Sequence, residues 1–201
     1  MEEIKADQVK KLREKSGVGM MECKKALTEA CGDMNKAELI LRERGLAAAS
    51  KKSNRTANQG IVDSYIHPGS RIGILLEVNC ETDFVARNEQ FKDLVHNIAL
   101  HIAAAAPVYV SSEDIPADII EAEKEIYRKQ ALNEGKPEGV LEKIAEGRLK
   151  KFYEENCLLS QLYVKDNDLT ISDLVKQAIA KIGENIVIRR FCRFVLGEEI
   201  K

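Results

Sequence analysis

The chain has no apolar stretch long enough to cross a lipid bilayer. Its longest apolar run, from Ile102 to Val110, is interrupted by Pro107, whereas a membrane-spanning helix needs about 20 apolar residues. The amino-terminal residues, Met1 to Lys5, carry no apolar signal-peptide segment either. Both absences predict a cytosolic protein.

Cysteine is sparse and unsuited to structural cross-linking. Five cysteines, an odd number, are scattered along the chain without a Cys-x-x-Cys pair, which argues against a disulfide framework and against a structural zinc site. They are Cys23, Cys31, Cys80, Cys157 and Cys192. His96 and His101 are five residues apart and point in different directions on a helix. We therefore expect reduced cysteines in the core or at the surface, no metal and no cofactor.

Residue patterns for covalent chemistry are also missing. The glycine-rich segment 16–19 lacks the Lys-Ser/Thr of a phosphate-binding loop and falls between predicted helices. The sequence supports no Ser-His-Asp or Cys-His arrangement, and Cys80 has no base beside it. These absences predict a protein that is not an enzyme.

Neither sign of charge dominates the chain. Residues 1–55 carry 13 Lys or Arg and 9 Asp or Glu, whereas residues 56–201 carry 18 and 24. With a net charge of −2, the chain does not produce the strong positive electrostatic field that is typical of nucleic-acid binders. A mildly basic amino-terminal part instead suits docking on an acidic protein surface.

Residues 1–45 predict three short helices, which can enclose only a small core. Asp7 is expected to cap the first helix, which the segment 17–19 breaks. The second helix begins near Met21 and ends at Gly32, and Asp33 caps the third, whose apolar face lies before Gly45. The polar segment 47–60 is predicted to begin as helix and end as a linker. We place a domain boundary there, with a head at 1–55 and a core domain at 56–201.

The core domain alternates strand and helix patterns, which favours an α+β fold with an antiparallel sheet backed by helices. Strands are predicted at 61–66, 72–80 and 186–196, a further extended segment at 158–164, an amphipathic helix across 91–102 and another from Thr170 to Gly183. Residues 117–156 predict two charged helices with few apolar positions, which indicates a protruding helical hairpin.

The segment 77–87 leads from a strand into a helix and is the most informative part of the chain. Asn88 is a suitable N-cap for the following helix, so Thr82-Asp83-Phe84-Val85 lies at a strand-to-helix corner. A phenylalanine in such a place is more often a buried plug than an exposed probe. If exposed beside Asp83, it forms a rigid apolar wedge with a polar guide, suited to another protein.

Three segments resemble the signatures of the elongation factor Ts family. Glu77–Arg87 reads Glu-Val-Asn-Cys-Glu-Thr-Asp-Phe-Val-Ala-Arg and is similar to the core signature of that family. Leu12–Leu27 resembles its amino-terminal signature, with Ser16 in place of the more usual Thr. Gly183–Phe191 extends the resemblance towards the carboxyl terminus, so nearly the whole chain is covered.

The resemblance implies guanine-nucleotide exchange on elongation factor Tu. The family's Mg²⁺-dislodging element maps onto Thr82, Asp83, Phe84 and Val85, and residues that grip the nucleotide-binding domain of the partner map onto Arg13, Met20 and Met21. The resemblance further implies a head with the fold of ubiquitin-associated domains and a helical hairpin that touches the partner.

The resemblance also bears on assembly. Longer members of the family carry two related halves in the core, whereas this chain has room for one sheet. We therefore expect a homodimer and a two-to-two complex with elongation factor Tu. Cys192 could lie at the dimer contact, although we favour a core position for it.

Purely structural roles for these residues and other functions for the chain remain alternatives. Without the resemblance, Met20-Met21 reads as core filler at a helix junction, and Lys51, Lys52 and Arg55 read as a solvated linker. The main alternative function is an RNA-binding protein of translation that uses those linker residues and the Arg189, Arg190 and Arg193 cluster. A thiol enzyme built on Cys80 or Cys23 is a third.

Overall fold

The computed structural model describes residues 4–199 and has the predicted α+β architecture. The helices are α1 (Ala6–Ser16), α2 (Met20–Glu29), α3 (Met34–Lys52), α4 (Asp83–Ala86), α5 (Glu89–Ala105), α6 (Ala117–Asn133), α7 (Leu141–Asn156) and α8 (Ile171–Ile182). The strands are β1 (Gln59–Ile66), β2 (Ile72–Cys80), β3 (Leu162–Tyr163), β4 (Asp166–Thr170) and β5 (Ile186–Val195). Short 3-10 turns occupy 112–114, 138–140 and 158–160.

Spatial proximity divides the chain into two compact units, each assembled from separate segments. One comprises the chain up to Ile61, Val78–Leu94 and Asp173–Val187; the other comprises Val62–Glu77, Val95–Ser172 and the chain from Ile188 onward. The domain division at 1–55 and 56–201 stays a prediction.

Helices α1, α2 and α3 enclose the small core predicted for the amino-terminal part. Short side chains dominate this core, because three helices in so few residues leave little interior volume. Its buried members are Val9, Leu12, Cys23, Ala26, Leu27, Ala30, Ala37 and Leu41. Gly17, in the left-handed conformation at φ 68°, ends α1 as expected, and the Asp33 carboxylate caps α3 by accepting from the Asn35 and Lys36 N–H groups.

One boundary prediction in the amino-terminal part was wrong, and another is refined by the structure. Asp7 does not cap α1: the carbonyl of Lys5 accepts the first helical hydrogen bonds, and Asp7 lies in the first turn, where its charge still suits the helix dipole. The helical start expected for the segment 47–60 is the end of α3, which passes through Gly45 without a break and continues to Lys52. Gly45 costs a helix only about 1 kcal/mol, and its missing side chain allows close approach of α8, because an added Cβ would lie 3.1 Å from that of Ala180.

The main sheet has three strands in the order β1-β2-β5. Strand β2 is the centre and matches its predicted bounds, with Ile74, Leu76, Val78 and Cys80 buried on one face. Strand β5 runs antiparallel to β2, since Leu196, just after its end, donates to Arg71 before β2, whereas Asn185, before its start, donates to Glu81 after β2.

The predicted helices of the core domain are present, but two smaller features were not predicted. Helix α5 buries the expected apolar stripe from Phe91 to Ile102, and α6 and α7 form the helical pair within 117–156. The segment 158–164 is a 3-10 turn followed by the two-residue strand β3, which pairs antiparallel with the unpredicted strand β4. The one-turn helix α4 at the strand-to-helix corner was also missed.

Candidate functional site

The strand-to-helix corner after β2 is organised by Thr82. Its side-chain oxygen caps α4 by accepting from the Val85 N–H group at 3.4 Å. Its carbonyl accepts from the Ala86 N–H group at 3.3 Å and from the buried Cys80 thiol at 3.1 Å. The corner is therefore tied to the end of β2 through backbone and side chain together.

Phe84 is exposed at this corner, with 80% of its surface accessible. In the single turn of α4, Ala86 faces inward and is buried, Val85 is half-buried, and the ring of Phe84 stands outside. The less common of the two outcomes weighed from the sequence is the one found. Its neighbour Asp83 is half-exposed and accepts a hydrogen bond from Arg87 at 2.9 Å, which orients the carboxylate beside the ring.

A second segment, Gly183–Asn185, supports the corner from the other side. The Glu184 carboxylate accepts from the N–H groups of Glu81 and Thr82 at 3.1 and 3.0 Å and from the Thr82 hydroxyl at 2.7 Å. Sequence reasoning did not assign a role to Glu184, although it lies in the carboxyl-terminal segment of the family resemblance. No periodicity signal could have found it, because its partners are more than 100 residues away.

The three predicted partner-binding residues of the head lie at the junction between α1 and α2. Met20 and Met21 begin α2 and are 48% and 65% exposed, and Arg13 is exposed in the last turn of α1. The interpretation of the two methionines as core filler is therefore wrong. The loop before them is held by Cys23, whose thiol donates to the carbonyl of Val18 at 3.4 Å.

The five cysteines are free, as predicted. Burial is the main cause that raises the pKa of the Cys80 thiol, and the negative charge of the Glu184 carboxylate raises it further. A reactive thiolate needs the opposite shift. Cys23 is buried as well. Cys192, for which a core position was favoured, is exposed, because the buried-face alternation of β5 ends after Ile188.

Two of the four arginines proposed for RNA binding lie against carboxylates. Arg190 donates to Glu77 at 2.7 Å, and Arg55 lies 3.6 Å from Glu81. Arg193 is only half-exposed. Such ion pairs neutralise the positive field on which phosphate binding depends.

Between residues 4 and 199, no group of three or more His, Cys, Asp or Glu side chains is arranged to hold a metal ion. Over the same part of the chain, no helix has the length and apolar character needed to cross a membrane. Among the large apolar side chains in this part of the chain, Phe84 has the highest exposed fraction, 80%, followed by Phe194 at 70%.

Fold and site together describe an α+β protein with an exposed phenylalanine at a hydrogen-bonded strand-to-helix corner. The family model for elongation factor Ts matches residues 46–198. The chain is 61% identical over 198 residues to elongation factor Ts of Caldanaerobacter subterraneus subsp. tengcongensis, covering 98% of this chain and 99% of that protein. It is 60% identical over 197 residues to elongation factor Ts of Moorella thermoacetica, covering 98% and 97%. The chain therefore belongs to the elongation factor Ts family, a family of protein biosynthesis.

Proposed function

We propose that this chain is the guanine-nucleotide exchange factor of elongation factor Tu. The observation that carries the proposal is the exposure of Phe84 on a corner fixed by hydrogen bonds on both sides. The same four residues, Thr82 to Val85, resemble the element that dislodges Mg²⁺ in this family. The activity belongs in the cytosol with the rest of translation, and the chain itself performs no covalent chemistry.

The proposed mechanism inserts Asp83 and Phe84 beside the Mg²⁺ site of elongation factor Tu. Displacement of the ion leaves the diphosphate charge of GDP poorly compensated, so GDP leaves and GTP replaces it. Linkage makes the effect reciprocal, because a factor that weakens nucleotide binding is itself bound less tightly when nucleotide is present. The cycle therefore returns the factor to solution once GTP has bound.

The magnitudes assign separate tasks to the wedge and to the rest of the interface. Nanomolar nucleotide binding corresponds to about 12 kcal/mol, whereas burial of one phenylalanine returns roughly 1.5–3 kcal/mol. Phe84 can direct the distortion but cannot drive it alone. The remainder must come from a broad interface of about 1,600 Å² or more.

The head supplies part of that interface in this proposal. Exposed methionines adapt their shape to a partner at low cost. Met20 and Met21 at the start of α2 and Arg13 in the last turn of α1 are all exposed. In this proposal the head has the fold of ubiquitin-associated domains and binds the nucleotide-binding domain of elongation factor Tu. The α6–α7 pair provides a further contact with the partner.

A homodimer is the second part of the proposal. Leu75 is exposed on the face of β2 opposite its buried residues, and on the same side Gly73 lines one surface depression with Ile66, Phe194 and Leu196. These large apolar side chains of the second unit are exposed, as is Val62 on β1. A patch of this kind on a soluble protein marks an interaction surface. We propose that two chains pair through this face and form a two-to-two complex with elongation factor Tu. The exposed Cys192 belongs to β5 of this sheet.

The exchange proposal is tested with the cognate elongation factor Tu loaded with a fluorescent GDP. We expect a catalytic amount of this chain to speed displacement of the label by unlabelled nucleotide. The matched control is the same chain heated to unfold it. Displacement at the spontaneous rate with the native chain would refute the proposal, and a tight, steeply salt-dependent affinity for RNA would favour the alternative instead.

A further inference from the structure

Glu184 makes an unusual set of contacts for a half-buried surface carboxylate. It follows Gly183, which ends α8, and reaches the corner between β2 and α4 with both oxygens. Oε2 accepts two backbone N–H groups, those of Glu81 and Thr82, and Oε1 accepts the hydroxyl proton of Thr82 at 2.7 Å. Bonds to an ionised acceptor of this length are the strong ones in proteins.

We infer that Glu184 is a positioning residue that holds Phe84 in the orientation needed for nucleotide exchange. The inference rests on the proposed function and deepens it. Glu184 does not need to touch the partner in this role. It acts through Thr82 and through the first turn of α4.

The hydroxyl of Thr82 transmits the constraint. A hydroxyl has one proton, and here that proton is donated to Glu184. The oxygen lone pairs are thereby turned towards the Val85 N–H group, which donates to the same oxygen at 3.4 Å. Since Val85 follows Phe84 directly, the carboxylate sets the direction of the turn that carries the ring.

The short helix needs such support from outside. Helix α4 has four residues, and a single helical turn is unfavourable by itself because several dihedral angles are fixed for one hydrogen bond. Phe84 contributes little to holding it, since the ring is 80% exposed. The direction of the ring is therefore decided by the contacts of its neighbours.

Asn185 extends the same support to the end of α3. Its backbone N–H group donates to Glu81 at 2.6 Å, and its buried side chain donates to the carbonyls of Ser53 and Arg55 at 3.2 and 2.7 Å. Glu184 thus accepts hydrogen bonds from the backbone of Glu81 and Thr82, and Glu81 accepts one from the backbone of Asn185. The corner is held on a closed frame of hydrogen bonds.

The variant Glu184→Gln tests the inference because it keeps the size of the side chain. An amide has one acceptor oxygen, so its NH₂ group must face a donor or displace the hydroxyl proton of Thr82. With full-length protein and cognate elongation factor Tu loaded with fluorescent GDP, we expect the maximal release rate to fall about tenfold, the effect of losing a charge-assisted hydrogen bond. The half-saturating concentration is expected to change less than about twofold, since uniform binding is retained.

Asp114→Asn is the matched control. Its carboxylate also accepts a backbone N–H group and a hydroxyl, both from Ser111 at 2.8 Å, in the second unit. We expect this variant to exchange nucleotide at the native rate. A comparable loss there would assign the effect of Glu184→Gln to general destabilisation and overturn the inference.

A double variant separates positioning from a plain structural role. If Glu184 acts through Phe84, then Glu184→Gln adds no further loss to Phe84→Ala, because coupled residues are not additive. Full additivity, or an unchanged maximal rate in Glu184→Gln, overturns the inference. If Glu184→Gln does not fold, Thr82→Val takes its place, with the same selective loss expected and a native rate contradicting it.

The experiment also separates this inference from the proposed function. A native chain that does not speed release refutes both. A native chain that speeds release while Glu184→Gln does so equally refutes only the positioning role.

Discussion

Phe84 stays exposed because the residues on either side of it carry the anchoring contacts. Thr82 binds back to Glu184, and Ala86 is buried against the corner. Such a division keeps the ring available while its backbone remains fixed, which lowers the entropy lost when a partner binds.

Phe84→Ala is expected to separate catalysis of exchange from binding. Loss of one phenylalanine burial corresponds to roughly 10- to 100-fold in rate, so the maximal rate of GDP release falls strongly while some affinity for elongation factor Tu remains. Met21→Lys, at the head, is expected to raise the half-saturating concentration and keep the maximal rate. Stopped-flow release over a range of factor concentrations measures both; equal losses of rate and affinity in Phe84→Ala would remove the wedge from the mechanism.

His101 is the buried titratable group of the second unit with the clearest pH consequence. It is fully buried, its Nδ1 accepts from the Val164 N–H group at 3.3 Å, and its Nε2 lies 3.0 Å from the Gln161 side chain. The Nδ1 contact requires the neutral ring, and burial lowers the pKa of His101 below its ordinary 6.5.

Stability is therefore expected to fall as the pH drops below about 6.5. Above that pH the ring is neutral in both states; below it the unfolded chain takes up a proton that the folded chain refuses, at up to about 1.4 kcal/mol per pH unit. Urea unfolding at several pH values measures the slope. The His101→Gln variant is expected to have a lower free energy of unfolding at neutral pH, but that free energy should change less between pH 6.5 and 5 than in the native chain. If the free energy of unfolding has the same slope against pH in both proteins, His101 is not the source of the slope.

At the scale of elements, the α6–α7 pair is held by small residues inside and ion pairs outside. Ala131 and Ala145 are fully buried, so the two helices approach closely. Arg128 donates to both oxygens of Glu142, and Arg148 to both oxygens of Glu134. Exposed pairs of this kind add little to stability individually, which leaves the alanine seam as the main constraint on this pair.

Two substitutions two residues apart on α7 are expected to act in opposite directions. Ala145→Leu overpacks the seam and should cost about 1–3 kcal/mol of unfolding free energy. Gly147→Ala should stabilise the chain by about 1 kcal/mol, because glycine is a poor helix former and an added Cβ meets no atom within 4 Å. Chemical unfolding checks both; a tolerated leucine would show that the seam is looser than its burial indicates.

At the scale of the whole molecule, the exposed apolar side chains of the main sheet bear on whether two chains associate. Phe194 and Ile66 on the proposed dimer face are 70% and 62% exposed. Large apolar side chains in one surface patch favour a covering partner, and the second copy proposed above supplies one.

Phe194→Lys is expected to convert a homodimer into a folded monomer. A charge on this face cannot be desolvated without a partner of opposite sign, whereas the side chain is already exposed in the single chain. Light scattering after size exclusion measures the mass, and circular dichroism confirms folding. Val140→Lys, at another exposed apolar residue, should remain dimeric. A native chain that is monomeric at micromolar concentration would refute the dimer.

The amino-acid sequence determined the elements whose signals are local. The alternation from Ile72 to Cys80, the cap at Asn88 and the stop at Gly183 each depend on neighbouring residues, and each was found where the pattern predicted it. The motif resemblance likewise led to the family. These features need no knowledge of distant contacts, because dihedral preference and hydrophobic periodicity act within a few residues.

Only the tertiary structure decided which side of the corner Phe84 occupies and what holds it there. Glu184 and Thr82 are about a hundred residues apart and share no local pattern. The close approach of α8 to Gly45 of α3 and the exposure of Cys192 were decided in the same way, by packing and by the end of a buried face. The physical reason is common to all three: hydrogen bonds and burial between remote segments outweigh local preferences of about 1 kcal/mol.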